Sequence, residues 1–383
     1  MDLRPFFQFM ADKGASDMFI SAGSPIFFKI EGEMKPANKQ VLDAELARQA
    51  VYSLMTPEQI EVFETDLEMN FGFSVTGLGR FRVNVFQQRG SVAMVVRYIH
   101  NTVPSFEKLG LPSVVEDLAV EKRGLILVVG STGSGKSTTL AAMIDYRNSQ
   151  RPGHILAVED PIEFIHKHKR SIVNQREVGV DTMSYRNALV NAMREAPDVL
   201  VIGEIRDEES MRQALIYTQT GHLCVATLHA NNSYHALTRI LSFFPMDSRE
   251  HLLHDLSASL RAVISQRLVR GVDGKRVPAV EVMQNSLYIS ELIQKQEIDA
   301  IKDAMEQSMT EGSQTFEQSL YDLYKTGRIS LEEALANADS RNNMEWLIKN
   351  SSKARDRDDA LAASKKRKTE GFEDITIMPE MLE

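Results

Sequence analysis

The segment Gly130-Ser131-Thr132-Gly133-Ser134-Gly135-Lys136-Ser137 directly follows the apolar run of residues 124–129. A buried strand, a glycine-rich turn and a helix start in that order leave few folds open, because the strand has to be covered on both faces. The glycines permit a tight turn that aims several backbone N–H groups at one point, where the helix that follows adds partial positive charge. Phosphate is the natural occupant of such a cradle. Ser131, Thr132, Gly133, Ser134, Gly135, Lys136, Ser137 and Thr138 are therefore candidates for holding ATP or a similar triphosphate. Lys136 is expected to reach the β- and γ-phosphates, and the Ser137 hydroxyl to join a Mg²⁺ shell. The plain alternative is a glycine turn with an exposed lysine.

With 383 residues, 43% of them hydrophobic, the chain can build two folded units. Its net charge of −9 argues against a surface built throughout for nucleic acid, although a local basic groove stays possible. A single cysteine, Cys224, permits neither an internal disulfide nor a cysteine-based zinc site, which suits a reducing compartment. The first residues lack the apolar core of a secretory signal, and no run approaches the roughly 18 apolar residues of a membrane span. A cytoplasmic protein that touches the membrane only through partners is expected.

Residues 1–100 read as a small α+β domain with an amphipathic first helix, short strands near 18–20 and 25–30, a helix over 43–55 and paired strands at 79–88 and 91–100. Residues 101–118 begin with a turn-rich stretch holding Pro104, Gly110 and Pro112, and form the linker. From 119 to 285 short apolar runs at 125–129, 154–158, 199–202 and 224–227 alternate with helical segments, the pattern of a mostly parallel α/β sheet. Residues 286–350 carry helical periodicity only. The polar, mixed-charge stretch 351–383 has too little apolar surface to fold and is expected to be a disordered tail.

Hydrolysis of a triphosphate needs a metal shell, a group that handles the attacking water, and positive charge for the transition state. The run of residues 198–202 leads into Gly203-Glu204, placing Glu204 at a strand end as a Mg²⁺ partner, unless an ion pair with Arg206 occupies it. Glu159-Asp160-Pro161-Ile162-Glu163 sets three carboxylates within five residues, where Glu163 is the candidate base and Glu159 and Asp160 orient it or the metal shell. A merely hydrophilic loop is the other reading. His222 and His229 bracket the run 224–227 at an odd spacing that argues against a shared metal; either could sense the γ-phosphate, or be structural. Arg80, Arg82, Arg89 and Arg97 lie on the paired strands of the first domain and could serve a neighbouring subunit's site in trans, or simply face solvent.

The motifs G-A-S-D-M-F-I-S-A-G-S-P at 14–25, G-R-F-R-V-N at 79–84, the glycine loop, A-V-E-D-P-I-E-F at 157–164, V-I-G-E-I-R-D at 201–207 and T-G-H-L-C-V-A-T-L-H-A-N at 220–231 resemble the hexameric secretion ATPase superfamily. Within it, they are similar to the type IV pilus retraction ATPases of the PilT/PilU kind. The resemblance covers residues 1 to about 345. It implies a ring of six, each chain with a PAS-like first domain and a RecA-like P-loop ATPase domain with C-terminal helices. It also implies a motor acting on an inner-membrane pilus platform, with Arg82 and Arg97 as arginine fingers, Glu163 as catalytic, Glu204 as the Walker B acid, and roles for His222 and His229.

Where PilT-type motors carry A-I-R-N-L-I, this chain has Tyr288-Ile289-Ser290-Glu291-Leu292-Ile293, without the arginine and asparagine. That departure and the charged tail resemble the PilU type, which implies an accessory motor assisting a principal retraction ATPase of the same family. A RecA-like nucleic-acid translocase and a nucleotide-dependent interaction module with little turnover are the competing readings.

Overall fold

Phe7 and Met10 turn inward on helix α1 (Arg4–Lys13), which stops where Gly14 adopts a left-handed conformation. The computed structural model describes residues 2–30, 32–99, 102–307 and 310–350. Strands β1 (Asp17–Ile20), β2 (Phe27–Ile30) and β3 (Glu33–Pro36) follow, then helices α2 (Ala44–Tyr52) and α3 (Pro57–Asp66). Asp43 caps the first of these helices and a Thr56/Gln59 capping box starts the second. The longer strands β4 (Glu68–Val75), β5 (Gly79–Gln88) and β6 (Ser91–Ile99) complete an antiparallel sheet in the order β3-β2-β1-β6-β5-β4.

Alternation along β5 turns Phe81, Val83 and Val85 toward α1, α2 and α3, where they join one apolar cluster with Met94 and Val96. The opposite face of this sheet carries Arg80, Arg82 and Arg97. Between the domains lie α4 (Phe106–Leu109), held by burial of Phe106 against Tyr146, and α5 (Val114–Ala119).

The second, larger sheet is built from β7 (Gly124–Val129), β8 (Gly153–Glu159), β9 (Ser171–Glu177), β10 (Val199–Ile202), β11 (Leu223–Leu228), β12 (Leu260–Arg270) and β13 (Arg276–Gln284). Its order is β13-β12-β7-β11-β10-β8-β9, parallel from β12 to β9, with β13 antiparallel at one edge. Helices α6 (Lys136–Gln150), α7 (Tyr185–Ala192), α8 (Glu208–Gln219), α9 (Ser233–Ser242) and α10 (Arg249–Ser259) run between these strands. Every residue of β7, β10 and β11 is buried, because helices cover both faces and give two apolar cores.

The four apolar runs of the sequence are four strands of this seven-stranded sheet. The other three break the apolar pattern: β9 alternates buried Ser171 and Val173 with exposed Ile172 and Asn174, while β12 and β13 carry arginine, glutamine and glutamate among apolar residues.

Helices α11 (Leu287–Gln294), α12 (Ile301–Glu306), α13 (Phe316–Lys325) and α14 (Leu331–Asn337) follow, and residues 341–350 are helical as well. Helices α13 and α14 pack on the end of the β12–β13 hairpin around Val269, Val277, Phe316 and Leu320. The tail expected over 351–383 lies outside the described residues.

Candidate functional site

The loop between β7 and α6 ends at Gly135, whose φ of 92° is costly for any residue with a side chain. A Cβ there would also sit 2.8 Å from the Gln266 amide nitrogen. Gln266, on β12, accepts a 2.6 Å hydrogen bond from Thr139 and so buttresses the loop and the first turn of α6 from the side.

Lys136 is buried, and its ammonium donates to the carbonyl oxygens of Gly130 and Ser131, each at 2.9 Å. Its third direction meets His229 Nδ1 at 3.4 Å. An ammonium group can only donate, so Nδ1 accepts and the ring proton sits on Nε2, which faces Glu204 Oε1 at 3.2 Å. Burial lowers the Lys136 pKa, against the opposing pull of Glu204 and Glu163.

A cavity of about 220 Å³ opens beside this lysine. Thr132, Gly133, Lys136 and Ser137 form one wall, Glu159, Asp160 and Glu163 another, and Glu204, Arg206 and His229 close it. These groups converge because β7, β8, β10 and β11 are parallel neighbours whose C-terminal ends lie at the same edge of the sheet. Ser131 stands just outside, its carbonyl oxygen accepting from Lys136; Ser134 is buried with its hydroxyl unpartnered among the described residues, and Thr138 lies half-buried in the first turn of α6.

Charge runs through the acidic wall as a chain. Arg206 Nε binds Glu204 Oε2 at 2.7 Å and its Nη1 reaches Asp160 Oδ2 at 3.2 Å. The ion pair raised as an alternative role for Glu204 is therefore present, on a carboxylate that also faces the cavity. Glu159 accepts from Gln175 at 3.0 Å, and burial pushes its carboxyl up to about 7. Glu163 is exposed on the cavity wall. The Tyr185 hydroxyl is buried in the same wall, and burial raises its pKa.

Of the residues singled out from sequence, His222 and the first-domain arginines Arg80, Arg82, Arg89 and Arg97 stand elsewhere. His222 lies beside Gly124 at the opposite end of β11, with its ring against Tyr217 and Nδ1 2.9 Å from Thr220 Oγ1. Arg82 and Arg97 sit directly across from each other on β5 and β6. Arg97 Nε is held at 2.7 Å by the buried carboxylate of Asp17.

Sequence reasoning did not find Gln175, Tyr185 or Gln266. Each lies outside the recognisable motifs and joins the site only through the packing of β9, α7 and β12, so no local pattern marks it.

The family model described as "Type II/IV secretion system protein" matches residues 2–378. The chain is 47% identical over 350 residues to the type IV pilus ATPase PilU of Pseudomonas aeruginosa, covering 91% of this chain and 92% of the relative. It is 40% identical over 334 residues to the type IV pilus retraction ATPase PilT of the same organism, covering 87% and 97%. A crystal structure of the pilus retraction motor PilT with bound ADP superimposes with a TM-score of 0.84 at 42% identity, covering 90% of this chain and 99% of that one. Its mixed α/β architecture, with a sheet domain followed by a larger sheet domain and helices, is the one described above. The chain belongs to the type II/IV secretion system protein family and, within it, to the PilT/PilU group.

Proposed function

We propose that the chain is a P-loop ATPase whose ring of six powers or assists retraction of a type IV pilus, with a PAS-like first domain and a RecA-like second. One observation carries this reading: Lys136 and Ser137 open onto the same cavity as Glu163, Glu204 and His229.

In that cavity Lys136 exchanges its carbonyl partners for phosphate oxygens. Glu163 accepts the proton of the attacking water, and ADP and phosphate leave. His229, placed between Lys136 and Glu204, registers the terminal phosphate. Glu204, fixed by Arg206, would be one of the residues that hold the metal.

Mg²⁺ takes oxygen ligands, most of them water and phosphate, beside one or two from protein. Ser137 and Glu204 offer such oxygens, with Glu159 behind them, and among the described residues no group of three or more His, Cys, Asp or Glu could hold a metal by itself. That donor set fits Mg²⁺, which when bound neutralises charge on the transferring phosphoryl group.

Arg82, Arg97 and His222 stand outside the chain's own cavity, and on this reading act after domain closure or across a subunit contact. Arg82 and Arg97 are register partners on β5 and β6, so two positive charges are available there to an anion.

The likeness to PilU and the missing arginine and asparagine at Ser290 and Glu291 support an accessory motor working with a principal retraction ATPase on an inner-membrane platform protein. No helix among the described residues is long and apolar enough to cross a membrane.

ATP hydrolysis by wild type, Lys136→Ala and Glu163→Gln, with and without DNA, tests the reading. Wild type is expected to turn over without DNA, and each variant to lose about 100-fold or more in rate. Stimulation by DNA would favour a translocase, and an inactive wild type an interaction module. Retraction restored by this chain in cells lacking the principal retraction ATPase would refute the accessory role.

A further inference from the structure

The two domains have separate apolar cores, so they can shift against each other unless something pins them. Among the described residues a single ion pair joins them. Arg80 Nη2, on β5, lies 3.6 Å from Glu177 Oε2 at the end of β9, with the two side chains only 21% and 5% exposed. Gly72 on the neighbouring strand β4 makes room for this guanidinium, since a Cβ there would come within 3.0 Å of Nη2.

Glu177 reaches in the other direction as well. The same Oε2 accepts the backbone N–H of Ile162 at 3.4 Å, one residue before Glu163, and the Glu177 N–H is itself held by Asp181 at 2.9 Å. Glu177 is also the register partner of Glu159. A continuous path therefore runs from the first domain, through Arg80 and Glu177, to the loop that carries the acidic wall of the cavity.

The Arg80 contact is only half made. Its Nε and Nη2 are buried without a hydrogen-bond partner among the described residues, whereas a guanidinium and a carboxylate meeting as a fork approach to about 2.8 Å. A shift of about 1 Å between the domains would close that gap.

We propose that Arg80 and Glu177 form an interdomain latch that positions the 159–163 loop, so that the approach of the first domain sets the place of Glu163. The proposal rests on the reading of Glu163 as the catalytic base. Arg80 does not line the cavity and acts through Glu177, as a positioning residue.

Full-length wild type, Arg80→Gln, Glu177→Gln, the double neutral variant and the exchanged pair Arg80→Glu/Glu177→Arg would be compared for kcat, KM and affinity for a fluorescent ATP analogue. Each single change is expected to lower kcat about five- to tenfold while nucleotide affinity stays within about twofold. The double neutral variant should be no slower than the slower single one, and the exchanged pair should recover most of the rate.

Wild-type kcat in both single variants, or effects that multiply in the double, would overturn the latch. A tenfold or greater loss of affinity in Arg80→Gln would overturn it too, making Arg80 a phosphate ligand. If the exchanged pair does not fold, the double neutral variant decides. Glu163→Gln measured alongside separates the two ideas: full turnover there sinks the catalytic reading, whereas lost turnover with wild-type latch variants sinks the latch alone.

Discussion

Glu159 carries the largest electrostatic consequence of the acidic wall. Its folded-state pKa of about 7 lies above the ordinary 4.5, so the folded chain binds this proton more tightly than the unfolded one. The associated stability is fully present below pH 4.5 and is lost as the pH rises through about 7, in total on the order of 3 kcal/mol. Glu159→Gln keeps the shape without the charge. Without nucleotide or metal, its melting temperature is expected to match wild type near pH 5 and to exceed it at pH 8; equal melting curves at pH 8 would contradict this. At this scale Lys136, Ser137 and Glu204 were legible because their motifs are contiguous stretches with fixed chemistry. The link from Arg206 to Asp160 was not, since 46 residues separate the partners and only the pairing of β8 with β10 joins them. Gln175 and Gln266 were hidden for the same reason.

Among the elements, α9 shows how a buried acid can hold a helix start. Glu281 of β13 is 3% exposed and accepts from the Ser233 N–H at 2.8 Å and the Ser265 hydroxyl at 3.0 Å, while burial raises its pKa. Asn232 caps the same helix, and the preceding loop carries His229. Glu281→Ala would orphan two buried donors and is expected to cost about 2–4 kcal/mol in urea unfolding, against about 1 kcal/mol for Glu281→Gln, which keeps an acceptor. Equal losses in the two variants would contradict this, because glutamine keeps both the shape and an acceptor. The elements were legible where burial is complete. β7, β10 and β11 read as unbroken apolar runs, whereas β9 at the sheet edge and the β12–β13 hairpin bury polar side chains that only tertiary partners satisfy.

For the molecule as a whole, the segment after β9 leaves apolar surface uncovered. Met183 is 86% exposed, and Val190 on α7 and Met193 at its C-terminal cap follow with 46% and 41% exposure. A ring would cover such a face with a neighbouring copy. Met183→Asp and Val190→Asp are therefore expected to shift the protein from ring to monomer in light scattering, with melting temperatures of the monomer changed by no more than about 2 °C. Intact rings in both variants would place the subunit contact elsewhere. Only the resemblance, and nothing in composition or spacing, pointed to a ring, because assembly depends on which side chains remain outside after folding.

Two adjacent residues of β12 face different business. Gln266 leans on the glycine loop, while Arg267 stacks 3.9 Å from the Phe316 ring centre and donates to the carbonyls of Asn231 and Asn337. Any push that a phosphate gives the loop has a short, inextensible route to the outer helices, like a crank turning on a single bearing. Displacing either the loop or the outer helices would load the same strand, which its ladder with β7 holds in place.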